Sequence, residues 1–293
     1  MSTALITGGT SGLGAAFSRQ LAADGNDLIL VARNEKRLEE SARELAETYA
    51  VDVTTIAADL TDDAGCQRVG QAVGTVDLLV NNAGIGLGRG FGHASLADEE
   101  HLLDLNVRAV LRLTRMALPR MRQRGHGAVV NVSSVAGFAP IMPGSTYNAS
   151  KAWVTNFSES LAPVARPDGV HVMALCPGFV HTEFHDRAAI SLSGIPEWML
   201  LDADFVVESA LRDLRRGKVV SVPSVTYKAV VTALRHLPNG LLSAVAGRTK
   251  AVSRRGTTRL RLGIFLCVDI LWPRPHRCDH ILTLRGASFF RVP

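Results

Sequence analysis

Tyr147 and Lys151 stand four residues apart, with Ser134 thirteen residues upstream of the tyrosine. On a helix that spacing puts the phenol and the ammonium on one face, one turn from each other. A free phenol titrates near about 10, too high to be half-ionised at neutral pH. A neighbouring ammonium favours the phenolate, so the pair could exchange a proton with a substrate. An exposed Tyr/Lys pair on a helix has the same spelling. The surrounding elements must decide between chemistry and surface.

Thr3 to Thr7 is short, apolar and β-prone, and runs into Gly8-Gly9-Thr10-Ser11-Gly12-Leu13-Gly14. A helical pattern follows, with Ala15, Phe17, Leu21 and Ala22 on its apolar face. Strand, glycine loop and helix in that order form a phosphate cradle, because the backbone can approach an anion at the helix N-terminus. The spacing is G-x-x-x-G-x-G, distinct from G-x-G-x-x-G and from a Walker loop. A second strand, Asp27 to Ala32, ends at Arg33-Asn34. An acid at this strand's end would bind a ribose hydroxyl, whereas an arginine accommodates a 2′-phosphate. Ala32 takes the place of the acid and Arg33 follows it, which favours NADP(H) over NAD(H).

Further along, a charged amphipathic helix covers Glu35 to Ala50, and a third strand, Val51 to Ala58, ends at Asp59-Leu60. A helix over 62–73 precedes a fourth strand, Val76 to Val80, closed by Asn81-Asn82-Ala83-Gly84. Gly86 to Gly92 reads as a loop, and Asp98 to Arg124 as one long helix bearing Asn106. The fifth strand, Gly127 to Ser133, stops beside Ser134, and a helix from about Ser145 carries Tyr147 and Lys151 until Pro163 and Pro167 end or kink it. The sixth strand spans Val170 to Cys176, Asp202 to Arg216 is helical, and Lys218 to Val222 is the seventh strand. Helix and strand alternating through short connections predict an α/β fold with a parallel, doubly wound, Rossmann-like sheet. Ligands in such sheets lie beyond the carboxyl ends of the strands. The glycine loop, Arg33, Asp59 and Asn82 to Gly84 all fall there.

In this order, the motifs resemble the short-chain dehydrogenase/reductase family over residues 3–222. The matching residues are Thr7-Gly8-Gly9-Thr10-Ser11-Gly12-Leu13-Gly14, the Asn-Asn-Ala-Gly turn at 81–84, Asn106, Ser134, Tyr147, Lys151 and the Pro-Gly turn at 177–178. The resemblance implies hydride transfer between a nicotinamide and a ketone or alcohol, with Tyr147 as proton donor or acceptor. It implies that Lys151 lowers the tyrosine's pKa and meets the nicotinamide ribose, that Ser134 holds the substrate oxygen, and that Asn106 holds a relay water. It further implies Gly8, Thr10, Ser11, Gly12 and Leu13 along the pyrophosphate and Arg33 on the 2′-phosphate. Asp59 and Leu60 would lie by the adenine, Asn82 and Gly84 by the nicotinamide ribose, and Val180 and Thr182 by the carboxamide. Ser133 is assigned to the strand end. A homodimer or homotetramer is expected.

Residues 183–200 hold Phe184, Ile190, Leu192, Ile195, Trp198 and Met199 at the family's variable substrate segment, which suggests an apolar carbonyl compound of fatty-acyl, steroid-like or terpenoid type. His181 and His185 are read as surface or packing residues, and His276 to His280 lacks the ligand number and spacing of a zinc site, so no metal is expected. The 293 residues are 47% apolar, enough for a two-faced core. Three segments are expected: a catalytic domain over 1–223, a helical piece over 224–247 and a basic tail over 248–293. Within the middle piece, helices are expected at Tyr227 to His236 and Leu241 to Ala246. The tail holds many arginines and only two acids, Asp269 and Asp279, and is expected to be poorly ordered or loosely docked. It lacks the basic and aromatic interleaving of a nucleic-acid surface, and no apolar run reaches the ~18–20 residues of a membrane span. Membrane association led by the tail and a catalytically silent, cofactor-binding regulator are the rival readings. Scattered cysteines (Cys66, Cys176, Cys267, Cys278) and a strand at the very start suit a reduced, cytoplasmic enzyme without a signal peptide.

Overall fold

Apolar runs of four to six residues, rich in Val, Leu and Ile, become the strands of a sheet covered on both faces. The computed structural model describes residues 2–138, 146–184, 188 and 195–236. The expected helix at Leu241 to Ala246 and the basic tail lie outside the described residues, as does much of the segment over 183–200. Strands β1 (Thr3–Thr7), β2 (Asp27–Ala32), β3 (Val53–Ala57), β4 (Leu78–Asn81), β5 (Gly127–Val132), β6 (Val170–Leu175) and β7 (Val220–Ser221) pair in the order β3-β2-β1-β4-β5-β6-β7. All the pairings are parallel. The chain runs outward from β1 through β2 to β3, then crosses back to start β4 on β1's other side. That reversal opens a crevice above the carboxyl ends of β1 and β4.

The connecting helices α1 (Gly12–Ala23), α2 (Glu35–Tyr49), α3 (Asp63–Val73), α4 (Leu96–Leu103), α5 (Val110–Arg124), α6 (Tyr147–Ala165), α7 (Ala203–Arg215) and α8 (Val225–His236) divide between two layers. Phe17 and Leu21 of α1, Leu38 of α2, Val206 and Val207 of α7 and Tyr227 of α8 share one core. Val69 of α3, Leu113 and Met121 of α5 and Ala162 of α6 share the other. Starts and stops follow local chemistry. Asn34, Asp62 and Asp202 cap α2, α3 and α7 by accepting from main-chain N–H groups, and α5 ends at Gly125 in the left-handed region.

Three expectations from the sequence need correction. The long helix from Asp98 begins earlier, at Leu96, where Ser95 and Asp98 form a capping box. It is also interrupted, because Asp104–Ala109 winds as a wider π-type turn around Asn106. Of the two prolines expected to end or kink α6, Pro163 lies inside the helix, which runs on to Ala165 and gives way at Pro167 to a 3₁₀ turn over Arg166–Asp168. The third and seventh strands are shorter than expected, since edge strands keep only the residues that find a ladder partner.

Candidate active site

The glycine loop is shaped by close backbone approach. A Cβ on Gly14 would sit 2.0 Å from the Gly8 carbonyl oxygen, and Gly8 itself has φ +66°. Ser11 precedes α1 in extended conformation without capping it through its side chain, and the first turn carries no acid. The positive end of α1 is therefore presented to the crevice together with the backbone of Thr10 to Leu13, as an anion cradle requires. Thr7 Oγ1 accepts from the Asn82 and Ala83 N–H groups, both at 2.9 Å, and locks the β1 and β4 ends together. The Asn82 amide donates to the Thr7 carbonyl at 2.8 Å, so this side chain braces the loop.

Arg33 projects from the end of β2 with its side chain 66% exposed, 3.8 Å from the Asp59 carboxylate beyond β3. Burial opposes ionisation of Asp59, but the Thr61 hydrogen bonds and the Arg33 charge outweigh it and hold the carboxyl below its ordinary range. The Leu60 side chain is buried in the core on the α3 side, which leaves only its main chain for a ligand.

At the β5 end, the two adjacent serines part ways. Ser133 Oγ donates to the Lys151 carbonyl at 2.7 Å and meets Thr155 Oγ1 at 2.8 Å, inside the structure. Ser134 Oγ accepts from the Ala136 N–H at 3.1 Å and shares a hydrogen bond with the Tyr147 hydroxyl. Tyr147 is the first residue of α6, and one turn on, Lys151 is 5% exposed. Lys151 Nζ donates to the Val132 carbonyl at 2.9 Å and stands 5.7 Å from the Tyr147 ring centre. The Asn106 side chain spans Ile85, accepting from its N–H and donating to its carbonyl at 2.9 Å each, and also reaches Ser150 Oγ at 3.3 Å. Gly84 lies between: a Cβ there would be 3.0 Å from Asn106 Oδ1 and 3.5 Å from Lys151 Nζ. Ser134, Tyr147, Lys151, Asn106 and Gly84 are thus brought to one place.

The electrostatics differ from the sequence expectation in one respect. Desolvation pushes Tyr147 up to about 12, offset only in part by the Ser134 hydrogen bond. Desolvation likewise pushes Lys151 down to about 8, against a smaller opposing effect of Cys176. Lysine was expected to lower the tyrosine's pKa. In the protein alone burial dominates and shifts each group toward its neutral form, although Lys151, at about 8, still holds its proton at neutral pH.

Val180 is buried and bridges to Leu201, while Thr182 sits across from Gly12, where an added Cβ would meet the Thr182 Cβ at 3.2 Å. The Phe184 ring lies 6.0 Å from the Tyr147 ring and packs over Gly86. His181 is exposed and His185 lies outside the described residues, as does the His276 to His280 cluster. Among the described residues no group of His, Cys, Asp and Glu could hold a metal, and no helix is long and apolar enough to cross a membrane. Sequence reasoning passed over Tyr227, which is fully buried, donates to the Met199 carbonyl at 2.8 Å and accepts from the Phe179 N–H at 3.1 Å. Its ring fills the space beside Gly178, where a Cβ would fall 2.0 Å from Cζ. The one available signal was the Pro177-Gly178 turn itself.

Comparison with known proteins agrees with this geometry. The model of the short chain dehydrogenase family matches residues 2–190. A short-chain dehydrogenase from Sphingobium yanoikuyae, solved in complex with NADPH, superposes with a TM-score of 0.74 at 33% identity, covering 89% of this chain and 99% of that one. The very-long-chain 3-oxoacyl-CoA reductase of Bos taurus is 30% identical over 217 residues, 72% of this chain and 68% of that protein. Sulfoacetaldehyde reductase 2 of Chromohalobacter salexigens is 39% identical over 186 residues, 61% of this chain and 73% of its own. Fold, strand-end motifs and these matches agree: the chain belongs to the short-chain dehydrogenase family and is an NAD(P)-dependent oxidoreductase acting on alcohol and carbonyl groups.

Proposed function

We propose that this protein is an NADP(H)-dependent reductase of a ketone, with the alcohol oxidised in the reverse direction, and that the substrate carrying the carbonyl is otherwise apolar, of fatty-acyl, steroid-like or terpenoid type. The observation that carries this reading is the hydrogen-bonded Ser134–Tyr147 pair, with Lys151 one helical turn away and Gly84 beside it.

The residues fit the cofactor. Gly14 admits the close approach of loop and helix, and the α1 N-terminus presents its main-chain donors. Gly8, Thr10, Ser11, Gly12 and Leu13 would hold the pyrophosphate, Arg33 the 2′-phosphate, and Asp59 with the Leu60 main chain the adenine. Asn82, Gly84, Tyr147 and Lys151 would face the nicotinamide ribose, and Val180 and Thr182 the carboxamide. Bound NADPH supplies the hydride. Tyr147 supplies the proton, so C=O gains one hydride and one proton and becomes CH–OH. Ser134 and Tyr147 place two hydroxyl donors where negative charge develops on the substrate oxygen. A phenol titrating near about 12 is fully protonated at neutral pH, the form that reduction consumes. Lys151, one turn away, returns a proton to the phenolate. With its side chain occupied by Ile85 and Ser150, Asn106 would hold a relay water through the main chain of the widened turn.

Support for an apolar substrate comes from this chain: Phe184 lies beside the Tyr147 ring and packs, with the buried Ala188, against the Gly86 backbone. The relatives act, by name, on a fatty-acyl thioester ketone and on a small sulfonated aldehyde, so they do not choose. A NADPH-consumption screen over fatty-acyl, steroid and terpenoid ketones against small polar aldehydes tests the proposal. Turnover of the apolar set, lost by about 10²–10⁴-fold in Tyr147→Phe with NADPH affinity nearly unchanged, is expected. Retained turnover in that variant would remove the mechanism, and preference for the small polar set would remove the substrate class.

A further inference from the structure

Helix α4 sends a carboxylate into the interior. Glu99 is 4% exposed, and its Oε2 accepts two hydrogen bonds from one residue, Thr146, at 3.1 Å from the main-chain N–H and 2.6 Å from the hydroxyl. Its other oxygen, Oε1, is buried and has no hydrogen-bond partner among the described residues. Thr146 stands at the N-cap of α6, immediately before Tyr147, and does not cap the helix through its own side chain. Burying a carboxylate with one oxygen unsatisfied is costly. A cap alone would need only the threonine hydroxyl turned onto its own helix. A charge drawn from a second helix does something more: it ties the start of α6 to α4. Its negative charge also faces the positive end of α6, which favours it there.

The same stretch of chain grips α6 again one turn later. Beyond α4, the wide turn carries Asn106 to Ser150 Oγ at 3.3 Å. The two grips flank Tyr147 in sequence, one just before it and one three residues after. We propose that Glu99 is a positioning residue for Tyr147: its carboxylate anchors Thr146 and so sets where the phenol stands relative to Ser134. The inference rests on the proposed role of Tyr147 as proton donor. A phenol displaced by about 1 Å costs proton transfer on the order of 10²-fold while leaving remote binding contacts alone.

Glu99→Ala, Glu99→Gln, Thr146→Val and Tyr147→Phe test this. With the ketone that supports turnover, Glu99→Ala should lower kcat by about 10–100-fold, with KM and NADPH Kd within about 3-fold. Glu99→Gln, which keeps an acceptor oxygen for Thr146, should recover kcat to within about 5-fold of the parent. Absorbance at 295 nm provides a readout independent of substrate, with Tyr147→Phe identifying the phenol. Loosening the helix start should admit water and bring Tyr147's titration down from about 12 toward the ordinary phenol value. Thr146→Val removes only the hydroxyl donor and keeps the test open if Glu99→Ala fails to fold. It should show the same changes in smaller measure. Unchanged kcat and unchanged phenol titration in folded Glu99→Ala or Thr146→Val would overturn the proposal, as would equal losses in kcat and NADPH affinity. An active Tyr147→Phe would instead remove the reading of Tyr147, a separate result.

Discussion

Lys151 Nζ donates to the Val132 carbonyl at 2.9 Å while standing 5.7 Å from the Tyr147 ring centre. The ammonium is thus held by the end of β5, within reach of the phenol's electric field, in a place where water does not solvate it. The pair is held at the price of desolvating both members, and that has consequences measurable without a substrate.

Burial depresses Lys151 from 10.5 to about 8, so between those values the unfolded chain binds more protons than the folded one. Stability should therefore rise with pH across that window, and be lowest, by on the order of 2–3 kcal/mol from this group, below about pH 8. Tyr147 has the opposite sign: raised to about 12, it should cost stability only as pH climbs above the ordinary phenol value near 10. Urea unfolding at a series of pH values checks this. In Lys151→Met the rise between about 8 and 10.5 should flatten, and an unchanged slope would mean the ammonium is solvated in the folded protein.

Arg33 is mostly exposed and its contact with Asp59 is long, so the pair contributes little to stability. Its expected value is in cofactor choice. Arg33→Ala should weaken NADPH by about 10–100-fold and NADH by less than about 3-fold, because only the former offers a 2′-phosphate to the guanidinium. Isothermal titration with both cofactors decides it, and equal losses would remove the assignment.

Gly14 and Gly25 make a controlled pair. A Cβ on Gly14 collides with the Gly8 carbonyl and would fall 2.6 Å from Asn82 Nδ2, whereas one on Gly25 meets nothing within 4 Å and faces only its φ of +79°. Gly14→Ala should distort the cradle, lowering cofactor affinity by at least about 10-fold and stability by about 1–3 kcal/mol. Gly25→Ala should cost about 1–2 kcal/mol through backbone strain and leave cofactor affinity intact. Thermal melts with and without NADPH separate the two.

Tyr227→Phe removes the hydroxyl that joins the Phe179 N–H to the Met199 carbonyl. Losing these two hydrogen bonds, the one to the Met199 carbonyl buried, should cost about 1–3 kcal/mol. The segment from Phe179 to Thr182 borders the proposed nicotinamide site, so cofactor KM should rise while kcat stays within about 3-fold. A loss confined to kcat would contradict this role.

Local pattern determined much of this protein. Alternating strands and helices, the glycine spacing after β1, and the Ser134, Tyr147, Lys151 spacing are legible because each is set by interactions within a few residues or by a repeating period. The parallel doubly wound sheet followed from that order. Tertiary structure decided the rest. No spacing announces that Glu99 reaches Thr146, that Tyr227 fills the space over Gly178, or that Asn106 sits in a widened turn, since each contact joins distant parts of the chain. The titration of Tyr147 and Lys151 belongs to the same class. Four residues of separation placed the charges side by side, but only the packing around them sets how much water each keeps. Desolvation, not proximity, sets the direction of both shifts.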